Sequence, residues 1–223
     1  MNKRDLLLLL TVFAMPLVAR GECDFDDFPT MDDMQLTTVA EAMQWNNMPM
    51  SVKGFRTDAA LQTVLAFYQE RWAGAEDITT FGAWQQVLHL NEDCMMMVQA
   101  RTVGSQTTGR LMLVNPPADE QVRRVLGAGV PVPPDAVVVT DMQSQDAHRD
   151  GQLVMLLHPD SIAGAVSWYQ TEMVRSGWQL SRRAFSQNNA TLIYSKGLEQ
   201  LSVVFLRTAA DDQTQILLNR VDH

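Results

Sequence analysis

The residues that stand out for chemistry are thioethers. The chain carries fourteen methionines, eight of them between Met31 and Met97. Met31-x-x-Met34, Met48-Pro-Met50 and Met95-Met96-Met97 put several sulfur atoms within reach of one another. A monovalent copper ion in an oxidising compartment favours such ligands, because a thioether is neutral, polarizable and hard to protonate. Met48, Met50, Met95 and Met97 therefore form the candidate copper(I) site, and copper is the alternative cofactor in a chain for which none is otherwise expected. On a strand Met95 and Met97 point one way and Met96 the other, so the run of three cannot converge on one ion. Methionine also fills irregular cores, which is the ordinary reading. The two readings part on whether Met31, Met34, Met48, Met50 and Met95 or Met97 are exposed together.

The other chemistries are weaker. There is no G-x-S-x-G elbow, no H-E-x-x-H and no cysteine–histidine metal spacing, so no catalytic residue is assigned and the chain is not expected to be an enzyme. Two buried carboxylates in one cavity, involving Glu70 or Glu172, would revive a catalytic reading. Gly104 to Arg110 has the glycine spacing of a phosphate loop. Arg110 and Leu111 stand where Lys and Ser or Thr are needed, however, so it reads as a hairpin turn. His89, His148, His158 and His223 are not spaced to share a metal and read as surface or capping residues. Asp24, Asp26 and Asp27 lack the glycine and distal glutamate of a calcium loop.

Stepping outward from these residues, 223 residues with 46% apolar and 19% charged side chains make a globular chain of one large or two small domains. Seventeen basic against twenty-six acidic groups give −9, which argues against nucleic acid as a partner. Residues 1–21 have a basic start at Lys3 and Arg4, an apolar stretch from Leu6 to Ala19, and small residues at Ala19 and Gly21. This is the layout of a secretory signal peptide, too short and Pro-interrupted for a spanning helix. Its removal takes away three basic groups and one acidic group and leaves −11. The mature chain is expected to carry no transmembrane anchor and to reside in the periplasm, with the extracellular space as the alternative. Glu22 rather than Gly or Ala precedes Cys23, which disfavours lipidation. Cys23 and Cys94 are the two cysteines, and in an oxidising compartment they are expected to form one disulfide.

The halves of the chain match. Phe67-Tyr68-Gln69 meets Trp168-Tyr169-Gln170, Trp84-Gln85 meets Trp178-Gln179, and Met43-Gln44 meets Met142-Gln143. This reads as a tandem duplication of a two-layer α+β module, an antiparallel sheet with one helix packed across it in a helix-grip-like layer. The expected organisation is a signal peptide at 1–21, an acidic N-terminal segment at 22–37, a first module at 38–115, a Pro/Gly-rich linker at 116–134 and a second module at 135–223. Thr57 or Asp58, and Asp160 or Ser161, are the expected helix N-caps, and Gly74 and Gly177 the stops. Tyr68 and Tyr169 are expected in the core, each hydroxyl serving a strand backbone group. The first module is expected to lack one strand of the second.

Asn46-Asn-Met-Pro-Met50, Phe55, Phe67-Tyr68-Gln69 and Trp72, with a cysteine just after the leader, resemble uncharacterised exported proteins of Gram-negative bacteria over residues 23–90. The resemblance implies export and carries no activity or site residues with it. The layout also looks like that of accessory proteins in envelope assembly and secretion machines. The expected function is thus a non-enzymatic adaptor that binds an envelope protein of a secretion, pilus or assembly system, partly through open sheet edges. The alternative is a periplasmic copper(I) carrier.

Overall fold

The computed structural model describes residues 23–72, 78–90, 94–146, 149–207 and 213–222. The leader expected at 1–21, Gly74, His148 and His223 lie outside the described residues. The chain opens with a 3₁₀ turn at Phe25–Asp27, followed by β1 (Gln35–Trp45), β2 (Met48–Thr57) and α1 (Leu61–Arg71). Four strands follow: β3 (Thr79–Phe81), β4 (Trp84–Leu90), β5 (Met95–Val103) and β6 (Gln106–Val114). A single turn of helix, α2 (Asp119–Val122), leads to β7 (Val137–Asp146), β8 (Arg149–His158) and α3 (Ile162–Arg175). The chain ends with β9 (Gln179–Phe185), β10 (Asn189–Lys196), β11 (Glu199–Arg207) and β12 (Thr214–Asp222).

These strands do not form two separate two-layer modules. They make one continuous twelve-stranded sheet, ordered β3-β4-β5-β6-β2-β1-β7-β8-β12-β11-β10-β9, with every pairing antiparallel. The expected α+β tandem is thereby corrected to a predominantly sheet fold in which helix is the minor part. The cause lies at the centre. Met43, Gln44 and Trp45 of β1 pair with Ser144, Gln143 and Met142 of β7, so backbone groups that would have edged two sheets satisfy each other. From Trp84 to its end the first half has three strands, β4 to β6, against four after Trp178, and its remaining strand lies before Trp84. β3 is present, but at three residues it is too short to show an alternating pattern.

Register decides which face each side chain takes. Pro49, Gln44, Gln143, Gln152 and Arg220 stand opposite one another across β2, β1, β7, β8 and β12. They share the face of Phe55 and of Leu156, which pack in the clusters around α1 and α3 respectively. Both long helices therefore lie on the same face of the sheet.

Around α1, Val64, Leu65 and Tyr68 pack on Val87, Val98 and Leu111. Around α3, Ala165, Tyr169 and Met173 pack on Leu192, Val203 and Ile216. The alternation in β5, β10, β11 and β12 turns every second residue toward this layer. A buried apolar side chain contributes on the order of 1.5–3 kcal/mol, which makes these two clusters the main source of stability.

The helix ends show local differences from expectation. Ser161 caps α3 by accepting the Gly164 N–H, and Gly177 at φ 81° closes it with Trp178 N–H on the Met173 carbonyl. Ala60, not Thr57 or Asp58, is the N-cap of α1. The Thr57 hydroxyl instead donates to Asp33 Oδ2 and accepts the Ala59 N–H. Thr107 and Thr214, both buried at the start of β6 and β12, donate to the carbonyls of Ala59 and Asp160 and pin the two helix approaches in the same way.

Cys23 and Cys94 are joined by a disulfide with Cα atoms 6.2 Å apart. Asn115 brackets the Cys23 backbone by accepting its N–H and donating to its carbonyl. Phe28 is buried against Tyr68 and Trp72, so the acidic segment is fastened by aromatic packing as well as by sulfur.

Candidate functional site

A cleft lies at the seam between the two halves of the sheet. It holds about 560 Å³. Its floor is the cross-strand row of Pro49, Gln44, Gln143, Gln152 and Arg220, and its roof is the segment that carries Asn115, Gln121, Arg124, Ala128 and Gly129. Beyond Met43–Trp45 the strands β1 and β7 no longer pair, and Ala42, Gln145 and Asp150 flank the opening.

A buried carboxylate fixes the roof to the floor. Asp141, 2% exposed, accepts the Gly127 N–H at 2.8 Å through Oδ2. Its Oδ1 accepts Gln152 Nε2 at 3.1 Å and Gln143 Nε2 at 3.5 Å. Gln152 Nε2 also donates to the Ala128 carbonyl at 3.0 Å, and Arg220 Nη1 donates to the Gly129 carbonyl at 2.9 Å.

Gly129 has φ 101°, and a Cβ there would meet Arg220 Nη1 at 3.1 Å, so only glycine lets the roof come this close without strain. Arg220 is held charged above its ordinary range, first by its hydrogen bond to Asp222 and further by the charges of Asp222, Glu199 and Asp150. Arg124 Nη1 lies 3.5 Å from Gln44 Oε1 at the opposite wall.

The turn between β1 and β2 ties down the roof segment beside the cleft. Asn46 and Asn47 have φ 50° and 67°, which suits a two-residue hairpin of the kind that needs left-handed residues at both positions. Asn47 Nδ2 donates to the Arg124 carbonyl at 2.7 Å, and Asn46 is bonded to Asp141 on the neighbouring half.

The polar part of the lining is mostly carboxamides, with two guanidinium groups, two serines and the carboxylate of Asp150. Gln152 Nε2 is spent on Asp141 and the Ala128 carbonyl and Arg220 on the Gly129 carbonyl and Asp222, so a partner in the cleft would meet the remaining carboxamide groups, which can donate and accept. Such groups recognise and orient.

The residues singled out in the sequence are distributed differently. Met31 and Met34 pack on the α1 side, where Met34 Sδ accepts the Tyr68 hydroxyl at 3.6 Å, and Met96 is buried in the same layer. Met48 and Met95 pack with Met43, Met112 and Met142 around buried Met50, Val52 and Val114 on the opposite, helix-free face. Met97 stands opposite Met112 and shares that face. The six-methionine set is therefore split, while Met48, Met50, Met95 and Met97 share one face.

Gly104 occupies the β5–β6 turn at φ 63°. Glu172 is paired with Arg175 and Ser176. His89 stacks on Trp72 with ring centroids 5.4 Å apart. His158 takes the capping alternative while buried: its Nδ1 accepts the Asp160 N–H at the approach to α3, and its Nε2 lies 3.1 Å from the Pro134 carbonyl. The Tyr169 hydroxyl donates to the Pro131 carbonyl at 2.8 Å, so it serves the segment before β7 rather than a strand.

No group of His, Cys, Asp and Glu among the described residues is arranged to hold a metal. No described helix is long and apolar enough to cross a membrane. The cleft itself was foreshadowed only by the repeated Met-Gln dipeptide, because Gln44 and Gln143 face each other at the seam with Met43 and Met142 on the reverse side.

A family model described as START domain-like matches residues 138–214, from β7 to the first residue of β12. The match suggests a START-like fold for this stretch, and it lies outside residues 23–90. No curated protein and no solved structure matches the chain.

Proposed function

We propose that this is an exported, non-enzymatic adaptor that binds a protein component of the envelope, in a secretion, pilus or assembly system, and that it does so in the amide-lined cleft at the seam of the sheet. The observation that carries the reading is the row Gln44, Gln143, Gln152 and Arg220 under the roof of Gln121 and Arg124. An extended polar segment offers alternating N–H and C=O groups, which is the pattern a row of carboxamides can meet. Residence in the periplasm is supported by the leader-like residues 1–21, by the Cys23–Cys94 disulfide and by the resemblance of residues 23–90 to exported proteins of Gram-negative bacteria.

The test is recovery of crosslinked envelope proteins by the wild-type protein and by Gln145→Trp, which fills the mouth of the cleft from an exposed strand position. The reading expects a partner held by the wild type and lost by the variant. An equal yield from both would end it.

A second reading, carriage of copper(I), keeps only the four candidate methionines of the helix-free face, since Met31 and Met34 pack in the separate α1 cluster and Met50 is buried. It expects Met48→Leu with Met50→Leu to weaken copper(I) binding in competition with a chromogenic chelator. No measurable competition by the wild-type protein would remove it.

A further inference from the structure

The two ends of the sheet are unlike. β3 ends it with three residues, whereas β9 ends it with seven, every one of them exposed. Among the described residues β9 pairs with β10 alone, so its outer backbone groups have no strand partner there. α3 packs over β10 and β11 and leaves β9 uncovered, with a groove of about 540 Å³ between the start of α3 and the β9–β10 hairpin. Ile162, Val166 and the half-exposed Phe185 give the groove its apolar wall, and Arg207 stands at its end.

The charge of this end runs against the rest of the molecule. Residues 175–207 hold five basic side chains and one acidic one, in a chain of net −9. Arg182 and Arg183 are adjacent on β9 and point to opposite faces, opposite Ile193 and Leu192 respectively. Neither has a carboxylate partner among the described residues. Charge on an edge strand deters unwanted pairing. An arginine does so selectively, since it repels a basic strand and offers a fork of donors to a carboxylate.

We propose that β9 is a docking strand for an acidic extended segment of another protein, which adds to the sheet edge, sets carboxylates against Arg182 and Arg183, and drops an apolar side chain into the groove beside Phe185 and Val166. The inference rests on the reading of the chain as a binding protein but uses a surface remote from the cleft. A strand can hydrogen-bond along such an edge whatever its sequence, so selectivity comes from the two arginines and the groove.

The experiment is fluorescence anisotropy with a labelled extended peptide that carries two adjacent Glu residues between Val residues, so that one carboxylate falls on each face, titrated with the wild-type protein, with Arg182→Glu/Arg183→Glu and with Gln145→Trp. The expected result is saturable binding that weakens about tenfold in the arginine variant and as salt rises from about 50 to about 300 mM, with Gln145→Trp unchanged. Val166→Asp, at the groove wall, should weaken it as well, and near-ultraviolet circular dichroism reports whether each variant is folded. Absence of peptide binding, equal binding by the arginine variant, or self-association of the protein through β9 in sedimentation would overturn the proposal. Because the cleft variant is carried in parallel, failure at β9 and failure of the cleft reading are told apart.

Discussion

Asn46 and Asp141 hold each other twice. The Asn46 N–H donates to the Asp141 carbonyl at 2.8 Å, and the Asp141 N–H donates to Asn46 Oδ1 at 2.8 Å. One residue belongs to the β1–β2 turn and the other to β7, so this clasp extends the short pairing of Met43–Trp45 with Met142–Ser144 and keeps the two halves of the sheet in one register. The Asp141 side chain then fastens the roof of the cleft.

Substitutions at the clasp should separate turn geometry from bonding. Asn46→Gly keeps a residue suited to φ 50° and loses both side-chain hydrogen bonds, the one accepted from the Asp141 N–H and the longer one donated to the Val139 carbonyl, for an expected cost of about 1–2 kcal/mol. Asn46→Ala adds left-handed strain of about 1 kcal/mol more. Asp141→Ala strands the Gly127 N–H and the Gln152 amide and should cost roughly 2–3 kcal/mol. Urea denaturation of the three variants measures the order, and equal midpoints for all three would contradict it.

The buried tyrosines make a matched pair of opposite sign. Tyr169 donates to the Pro131 carbonyl, so Tyr169→Phe is expected to destabilise by about 1 kcal/mol. Tyr194 is as deeply buried, yet its hydroxyl has no partner among the described residues. Tyr194→Phe removes an uncompensated polar group and should leave stability unchanged or raise it by up to about 1 kcal/mol. Thermal denaturation of the two variants distinguishes them.

All three tyrosines of the chain resist ionisation in the fold. Burial pushes Tyr194 up to about 12, and it pushes Tyr68 and Tyr169 higher still, with the charge of Tyr194 adding to Tyr169. In the unfolded chain they lose protons near pH 10. Below that pH both states are protonated and the contribution to stability is complete. Above it the unfolded state is favoured by ionisation, and the contribution is lost as the pH rises toward and through the folded values. Absorbance at the tyrosinate band should stay flat to about pH 11 and then rise together with loss of near-ultraviolet dichroism. A rise near pH 10 with the fold intact would contradict the burial.

The Cys23–Cys94 bond closes a separation of 71 residues, for which chain entropy gives about 4 kcal/mol. Cys23→Ser with Cys94→Ser should lower stability by that order and expose the Phe28–Trp72 contact, read as a shift in tryptophan emission. A loss under about 1 kcal/mol would mean that aromatic packing alone fastens the segment.

Local pattern made the strands and helices legible, and the paired Met-Gln and Tyr-Gln dipeptides marked corresponding places in the two halves. The single sheet was not legible, because it depends on three residues of pairing and on the Asn46–Asp141 clasp, which carry no periodicity of their own. Strands of the first half are also apolar on both faces, with Met96 of β5 under α1 and Met95 on the reverse, so alternation did not say which side was covered. Thr57 looked like a cap but was taken by Asp33. Residues 116–134 read as a Pro/Gly spacer, yet Val130 and Val132 pack into the α3 cluster and Gly127 to Gly129 roof the cleft.

The central claim is that the seam cleft holds a partner. The most direct measurement places a photo-crosslinking phenylalanine at Gln145, in the mouth of the cleft, and another at Leu198, an exposed turn residue far along the sheet. After irradiation of intact cells, the account expects one discrete protein adduct from Gln145 and none of that mass from Leu198. Adducts that are identical at the two positions, or absent from Gln145, would contradict it.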